Sequence, residues 1–109
     1  MILHDGTAAP SFEGFWDPSD VDYVWVAWDD DLEGSSISQS EWVLPEGWSL
    51  VSALVSQPVA AKDGTAFTAA NGALLSTTAT SGRFLLTNRC TFSDQRRLDR
   101  SVFVTVREL

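Results

Sequence analysis

Hydrophobic and polar positions alternate with a period of two along most of this chain, the pattern of half-buried antiparallel strands. In residues 83–92, Phe84, Leu86, Asn88, Cys90 and Phe92 fall on one face and Arg83, Leu85, Thr87, Arg89 and Thr91 on the other. A polar turn over 93–99 follows, and then Val102, Val104 and Val106 alternate with Ser101, Phe103, Thr105 and Arg107. Residues 23–28 are apolar on both faces, with Tyr23, Trp25 and Ala27 opposite Val24, Val26 and Trp28. Such a strand must be covered twice, once by a second sheet and once by another segment or a partner. Residues 37–44 and 48–55 alternate again, separated by a Pro45-Glu46-Gly47 turn. Pro58 and Lys62-Asp63-Gly64 bracket a connection, and Asn71-Gly72 signals a hairpin between short strands at 65–69 and 73–77. The alanine-rich stretch 60–73 leaves room for one helical turn in place of part of this.

About seven strands with turns every 8–12 residues point to an all-β fold. The expectation is a single immunoglobulin-like antiparallel β-sandwich over residues 18–109, preceded by an extended N-terminal arm at 1–17. The arm contains Gly6, Pro10 and Gly14 without periodicity, yet carries Phe12, Phe15 and Trp16. Three aromatics are too apolar for a solvated tail, so the arm packs either on its own domain or on a neighbouring subunit. Of the five tryptophans, Trp42 is the expected centre of the core, followed by Trp28 and Trp48. Trp16 and Trp25 are the expected interface residues.

Composition fits one globular domain, at 109 residues, 44% hydrophobic and 20% charged. One cysteine excludes an internal disulfide, and Cys90 reads as a small buried hydrophobe. The start of the chain lacks the basic and apolar segments of a signal peptide, and no apolar run is long enough for a membrane helix. The expectation is therefore a soluble, cytoplasmically made product without membrane partners. Charge is uneven. Residues 1–50 hold eleven acidic residues and no Lys or Arg, whereas residues 51–109 hold seven basic and four acidic, so the halves carry about −11 and +3. A net charge of −8 argues against a nucleic-acid partner. The asymmetry suits head-to-tail assembly, or equally the mutual neutralisation of adjacent strands in one sandwich.

The candidate chemistry is sparse. His4, the only histidine, lies in the irregular arm, which leaves Ser–His–Asp and Cys–His catalysis without a positioned base. Zinc lacks its ligands, and the carboxylates fall in turns rather than in an evident cleft. Asp29-Asp30-Asp31-Leu32-Glu33-Gly34 lacks the Asp-x-Asp-x-Asp-Gly calcium spacing and reads as a solvated turn. No enzymatic activity, cofactor or metal is expected.

Three blocks carry a family resemblance. The first is Gly82-Arg83-Phe84-Leu85-Leu86-Thr87-Asn88-Arg89, then Asp94-Gln95-Arg96, Asp99-Arg100-Ser101 and the Val102-x-Val104-x-Val106 strand. The second is Asp17-Pro18-Ser19-Asp20-Val21-Asp22-Tyr23, and the third runs from Gly34 through Ile37, Trp42 and Pro45 to Gly47. In this order they resemble the small tailed-bacteriophage virion proteins described as fibre–tail adaptors with an immunoglobulin-like fold. The chain departs at Val26-Ala27-Trp28, where the family has an Asp-Trp pair, and at Gln95, where a turn glycine is common; the latter implies a different turn conformation.

The resemblance implies a non-enzymatic virion protein, assembled in the host cytoplasm, that joins tail or neck to fibres as a homo-oligomer contacting other virion proteins. In that role Phe12, Phe15 and Trp16 of the arm, together with Trp25, would contact a neighbour. Arg96 and Arg97 at the tip of the last hairpin would meet Asp29, Asp30 and Asp31 of another copy. A capsid decoration protein is the alternative. A carbohydrate-binding module that stacks sugars on Trp16 and Trp25 is a third reading.

Overall fold

A computed structural model describes residues 1–7 and 12–109 of the chain. Eight strands are present among them: β1 (Ile2–His4), β2 (Phe12–Trp16), β3 (Asp22–Ala27), β4 (Ile37–Val43), β5 (Trp48–Ala60), β6 (Ala66–Thr77), β7 (Gly82–Phe92) and β8 (Arg97–Val106). The only helical piece among these residues is a 3₁₀ turn at Asp29–Asp31. Two four-stranded sheets, β1-β3-β6-β5 and β2-β8-β7-β4, pack face to face. With β3, β6 and β5 as strands B, E and D, and β4, β7 and β8 as C, F and G, the chain is an immunoglobulin-like β-sandwich. The core lies between the sheets, with Trp16, Val24, Leu75, Leu86, Val102, Val104 and Val106 at its centre. Val26, Trp28, Cys90 and Phe92 continue it toward one end.

The N-terminal segment is not a separate arm. β1 pairs in parallel with β3, and β2 pairs in parallel with β8, so the segment divides the role of strand A between the two sheets. The expected antiparallel character holds for every other pairing. Short edge strands give no periodic signal of their own, because each has only a few positions and only one paired side.

Asn71-Gly72 does not make a hairpin. Both residues lie within β6, paired with Val26 and Trp25 of β3. The reason is packing. The Trp25 ring lies over the bare backbone of Gly72, where an added Cβ would stand 2.6 Å from ring carbon Cζ3. Trp25 also stacks on Tyr23 with centroids 5.4 Å apart, and Leu3, Val59 and Phe67 pack around it. The second cover that β3 requires is thus supplied by its own sheet. The glycine is there for the indole rather than for a turn.

Trp42, expected at the centre, is half-buried on edge strand β4, where it touches both halves of the core. Trp28 and Trp48 are buried as expected. Gln95 takes φ 75°, a left-handed conformation that glycine adopts freely and other residues rarely do.

Candidate interaction surface

The acidic turn and the hairpin tip meet, but inside one chain. Asp29 follows Trp28 at the end of β3 and accepts hydrogen bonds from Thr68 N and Oγ1 and from Ala69 N, at 2.9, 2.9 and 3.1 Å. Burial works against its charge, but these donors outweigh it and hold the carboxyl below its ordinary range. Asp31 Oδ1 accepts from Arg100 Nη2 at 3.1 Å, and Arg100 lies 5.1 Å from the centre of the Trp28 ring. Arg96 Nη2 donates to the carbonyls of Asp31 and Leu32 at 2.8 and 3.0 Å, and Nη1 lies 2.8 Å from Glu33. Its guanidinium also covers Phe92, 4.6 Å from the ring centre. The two oppositely charged halves therefore neutralise each other within the sandwich here. Asp30 and Arg97 are exposed, and they are what the turn and the hairpin tip leave for a second molecule.

This arrangement separates the two arginines experimentally. Arg96→Ala is expected to lower the midpoint of urea unfolding, because it leaves two carbonyls and the carboxylates of Glu33 and Asp94 without their charged donor. Arg97→Glu is expected to stay within about 0.5 kcal/mol of the native chain.

The aromatics sort differently from expectation. Trp16 is 2% exposed and meets Trp48 edge-on, with centroids 5.3 Å apart. Trp25 is 7% exposed beneath its own cluster. Neither reaches a neighbour or presents a ring to a sugar. Phe15 alternates to the outside of β2, is 58% exposed, and lies under Arg107 at 4.2 Å. The expected role of Phe12 rests on a side chain outside the described residues.

An open depression of about 510 Å³ beside β1 and β2 is lined by Asp5, Glu13, Asp20 and Asp22 with Phe15 and Lys62. Its carboxylates do not converge. Glu13 pairs with Arg83, Asp20 accepts from Asp17 N, and Asp22 pairs with the Met1 amino group. Among the described residues no three His, Cys, Asp or Glu side chains are grouped to hold a metal ion, and no helix is long and apolar enough to cross a membrane.

His4 is 5% exposed on β1, and its Nδ1 accepts from Gly6 N at 3.0 Å. Burial lowers its pKa below 6.5; Arg100 acts in the same direction, while Asp5 and Asp31 oppose it. The unfolded chain therefore takes up this proton before the folded one does. Stability is unaffected above the unfolded pKa and falls as pH drops through about 6.5. Urea unfolding between pH 8 and 5 should show this decline, and His4→Gln should flatten it. The contribution of Asp29 is lost only at lower pH, through and below its depressed pKa, so the two windows are distinct.

A buried polar network ties the sheets together. Asn88 Oδ1 of β7 accepts from Trp28 Nε1 at 2.9 Å and from Asn71 Nδ2 of β6 at 3.0 Å. Asn88 Nδ2 donates to Ser40 Oγ and to the Glu41 carbonyl of β4 at 2.9 and 3.1 Å. Asn71 Oδ1 accepts from Ser56 N of β5 at 3.1 Å. Cys90 lies in the same region. Burial pushes its thiol up to about 11, with a hydrogen bond to Asn71 acting against the shift. A thiol so raised is inert at neutral pH.

Among the described residues, one exposed apolar run was not singled out by alternation alone. β5 is an edge strand, and from Ser49 to Pro58 every residue is exposed. Leu50, Val51, Leu54 and Val55 are 45, 55, 37 and 41% exposed. No charged residue occurs from Gly47 to Ala61, but none occurs from Gly64 to Gly82 either, so charge pattern alone did not single out β5.

No family model matches this chain, and no curated protein does. Among solved structures it is similar to the solution structure of the PKD domain from KIAA 1837 protein. The identity is 17% over 96% of this chain and 87% of that one, with a TM-score of 0.48.

Proposed function

We propose that this chain is a non-enzymatic bacteriophage virion protein that joins tail or neck to fibres through protein–protein contacts. The observation that carries the reading is the ordered set of three sequence blocks. Each block coincides with a structural unit. The first covers the β7–β8 hairpin, the second leads into β3, and the third spans β4 and the turn into β5. Support from surface chemistry is of one kind. The exposed features are an apolar edge strand, Phe15 and a few unengaged charges, which suit contact with protein surfaces. Stacking of a sugar on Trp16 and Trp25 loses its platform, because both rings are buried.

Peptide mass spectrometry of purified particles tests the proposal. The chain should be present at the low copy number of a tail or neck position. A copy number matching the capsid shell would favour the decoration reading, and absence from particles would overturn both.

A further inference from the structure

Three of the four sheet edges are short or charged, whereas β5 has only Pro58 and its register breaks to oppose pairing. β1 and β2 are 3 and 5 residues long, and β4 carries Glu41, which pairs with Arg89 at 3.4 Å. β5 is 13 residues long and uncharged, with apolar side chains exposed along its middle. A long apolar edge of this kind presents unpaired backbone donors and acceptors to a further strand.

We infer that β5 pairs with β5 of a second copy, antiparallel about a two-fold axis at Ala53, joining two four-stranded sheets into one of eight. The inference rests on reading the chain as an assembling protein. Two observations select a second copy as the occupant.

The first is electrostatic. Each chain carries a net charge of −8, so most approaches between two copies are opposed. The stretch from Gly47 to Ala61 holds no charge of either sign, and pairing there sets neutral against neutral.

The second is register. Pairing of β5 with β6 is regular for Ser52, Ala53 and Leu54, opposite Leu74, Ala73 and Gly72. It breaks between Leu50 and Ser52 on one side and between Leu54 and Gln57 on the other. β5 thus carries one extra residue at Val51 and one within Val55-Ser56, disposed about Ala53. A third break, between Gln57 and Val59, lies beyond them and puts its extra residue on β6. Bulges usually turn an edge strand away from partners. Here a two-fold at Ala53 sets each irregular segment opposite the other. It places Ala53 against its own copy, Ser52 against Leu54, and Val51 against Val55. Directly opposed residues then share a face, as antiparallel pairing about an axis normal to the sheet requires. Asn71, through its hydrogen bond to Ser56 N, fixes the second irregularity from inside the core.

The test uses the purified full chain. Sedimentation across a wide concentration range should show a dimer. Ala53→Cys should cross-link on mild oxidation, because opposed Cα atoms lie about 4.5–5.5 Å apart, within disulfide reach. Gln57→Cys should not cross-link, since its two copies would be about 26 Å apart along the strands. Cys90 is fully buried and does not compete. Val51→Lys with Val55→Lys, which opposes like charges twice, should weaken the dimer at least about tenfold. A monomeric native chain would overturn the inference. So would a dimer that the Ala53→Cys variant fails to lock, or one that persists undiminished in a folded double-lysine variant. Should the double-lysine variant not fold, the two cysteine variants decide. A dimer locked by Ala53→Cys, of a chain absent from particles, leaves the pairing standing and removes the virion reading. A particle-bound chain that shows no pairing does the reverse.

Discussion

Asn88→Ala is expected to lower the unfolding free energy by about 3 kcal/mol, a substantial share of the ~5–15 kcal/mol that a small domain has. The side chain is fully buried, and its amide serves four partners from two other strands and the end of β3: Trp28 Nε1, Asn71 Nδ2, Ser40 Oγ and the Glu41 carbonyl. Truncation removes one side chain but strands several polar groups in a space that water reaches poorly. Each unsatisfied group costs about 1–3 kcal/mol, with some recovered by rearrangement. At roughly 4–8 °C per kcal/mol, the melting temperature should fall by about 12–24 °C. Asn88→Asp should be at least as harmful, because it removes the two donated hydrogen bonds and adds a carboxylate to bury. Asn71→Ala should cost less, since it leaves Trp28 and β4 bonded to Asn88. If Asn88→Ala unfolded within about 1 kcal/mol of the native chain, the network would not be what couples the sheets.

The same asparagine shows how far the sequence could be read. Alternation placed Asn88 on the face shared with Phe84, Leu86, Cys90 and Phe92, and that face is indeed turned inward. A lone polar residue on an apolar face implies a partner, but its partners lie on β4, on β6 and at the end of β3, which local periodicity cannot bring together. Asn71-Gly72 failed for the related reason. The dipeptide favours a two-residue turn, yet Trp25 needs a residue without Cβ beneath it, and the tertiary demand prevails over the local one.

The candidate interface residues were legible as chemistry but not as topology. Opposite charges in the two halves correctly signal attraction, and the chain satisfies most of it internally through Arg96 and Arg100. β5 was recognised as a strand over 48–55, but its edge position follows from strand order, which depends on the whole fold.

Trp16→Ala is expected to cost about 3–5 kcal/mol, the range for emptying a large aromatic site in a packed core. Trp16 is the last residue of β2, pairs with Val106 of β8, and packs edge-on against Trp48, which in turn meets Phe84 at 5.7 Å. Its carbonyl accepts from Arg107 N at 3.0 Å, so the segment is tied by backbone as well as by side chain. The close fit extends to Gly14, where an added Cβ would stand 2.4 Å from Ile2 Cδ1, so β1 and β2 also depend on each other. Removal of residues 1–16 should therefore unfold the domain, or leave it far less stable, rather than release an intact sandwich that has merely lost a contact. Phe15→Ala is the informative neighbour. It exchanges an exposed ring for a methyl group one position away and should leave stability within about 0.5 kcal/mol. Thermal unfolding followed by circular dichroism distinguishes the two. A truncated chain that melts like the native one would mean that the first two strands are an appendage after all, and any loss of assembly on truncation would then report an interface. If truncation instead abolishes folding, only surface substitutions such as those on β5 and at Phe15 can report on the contacts this protein makes.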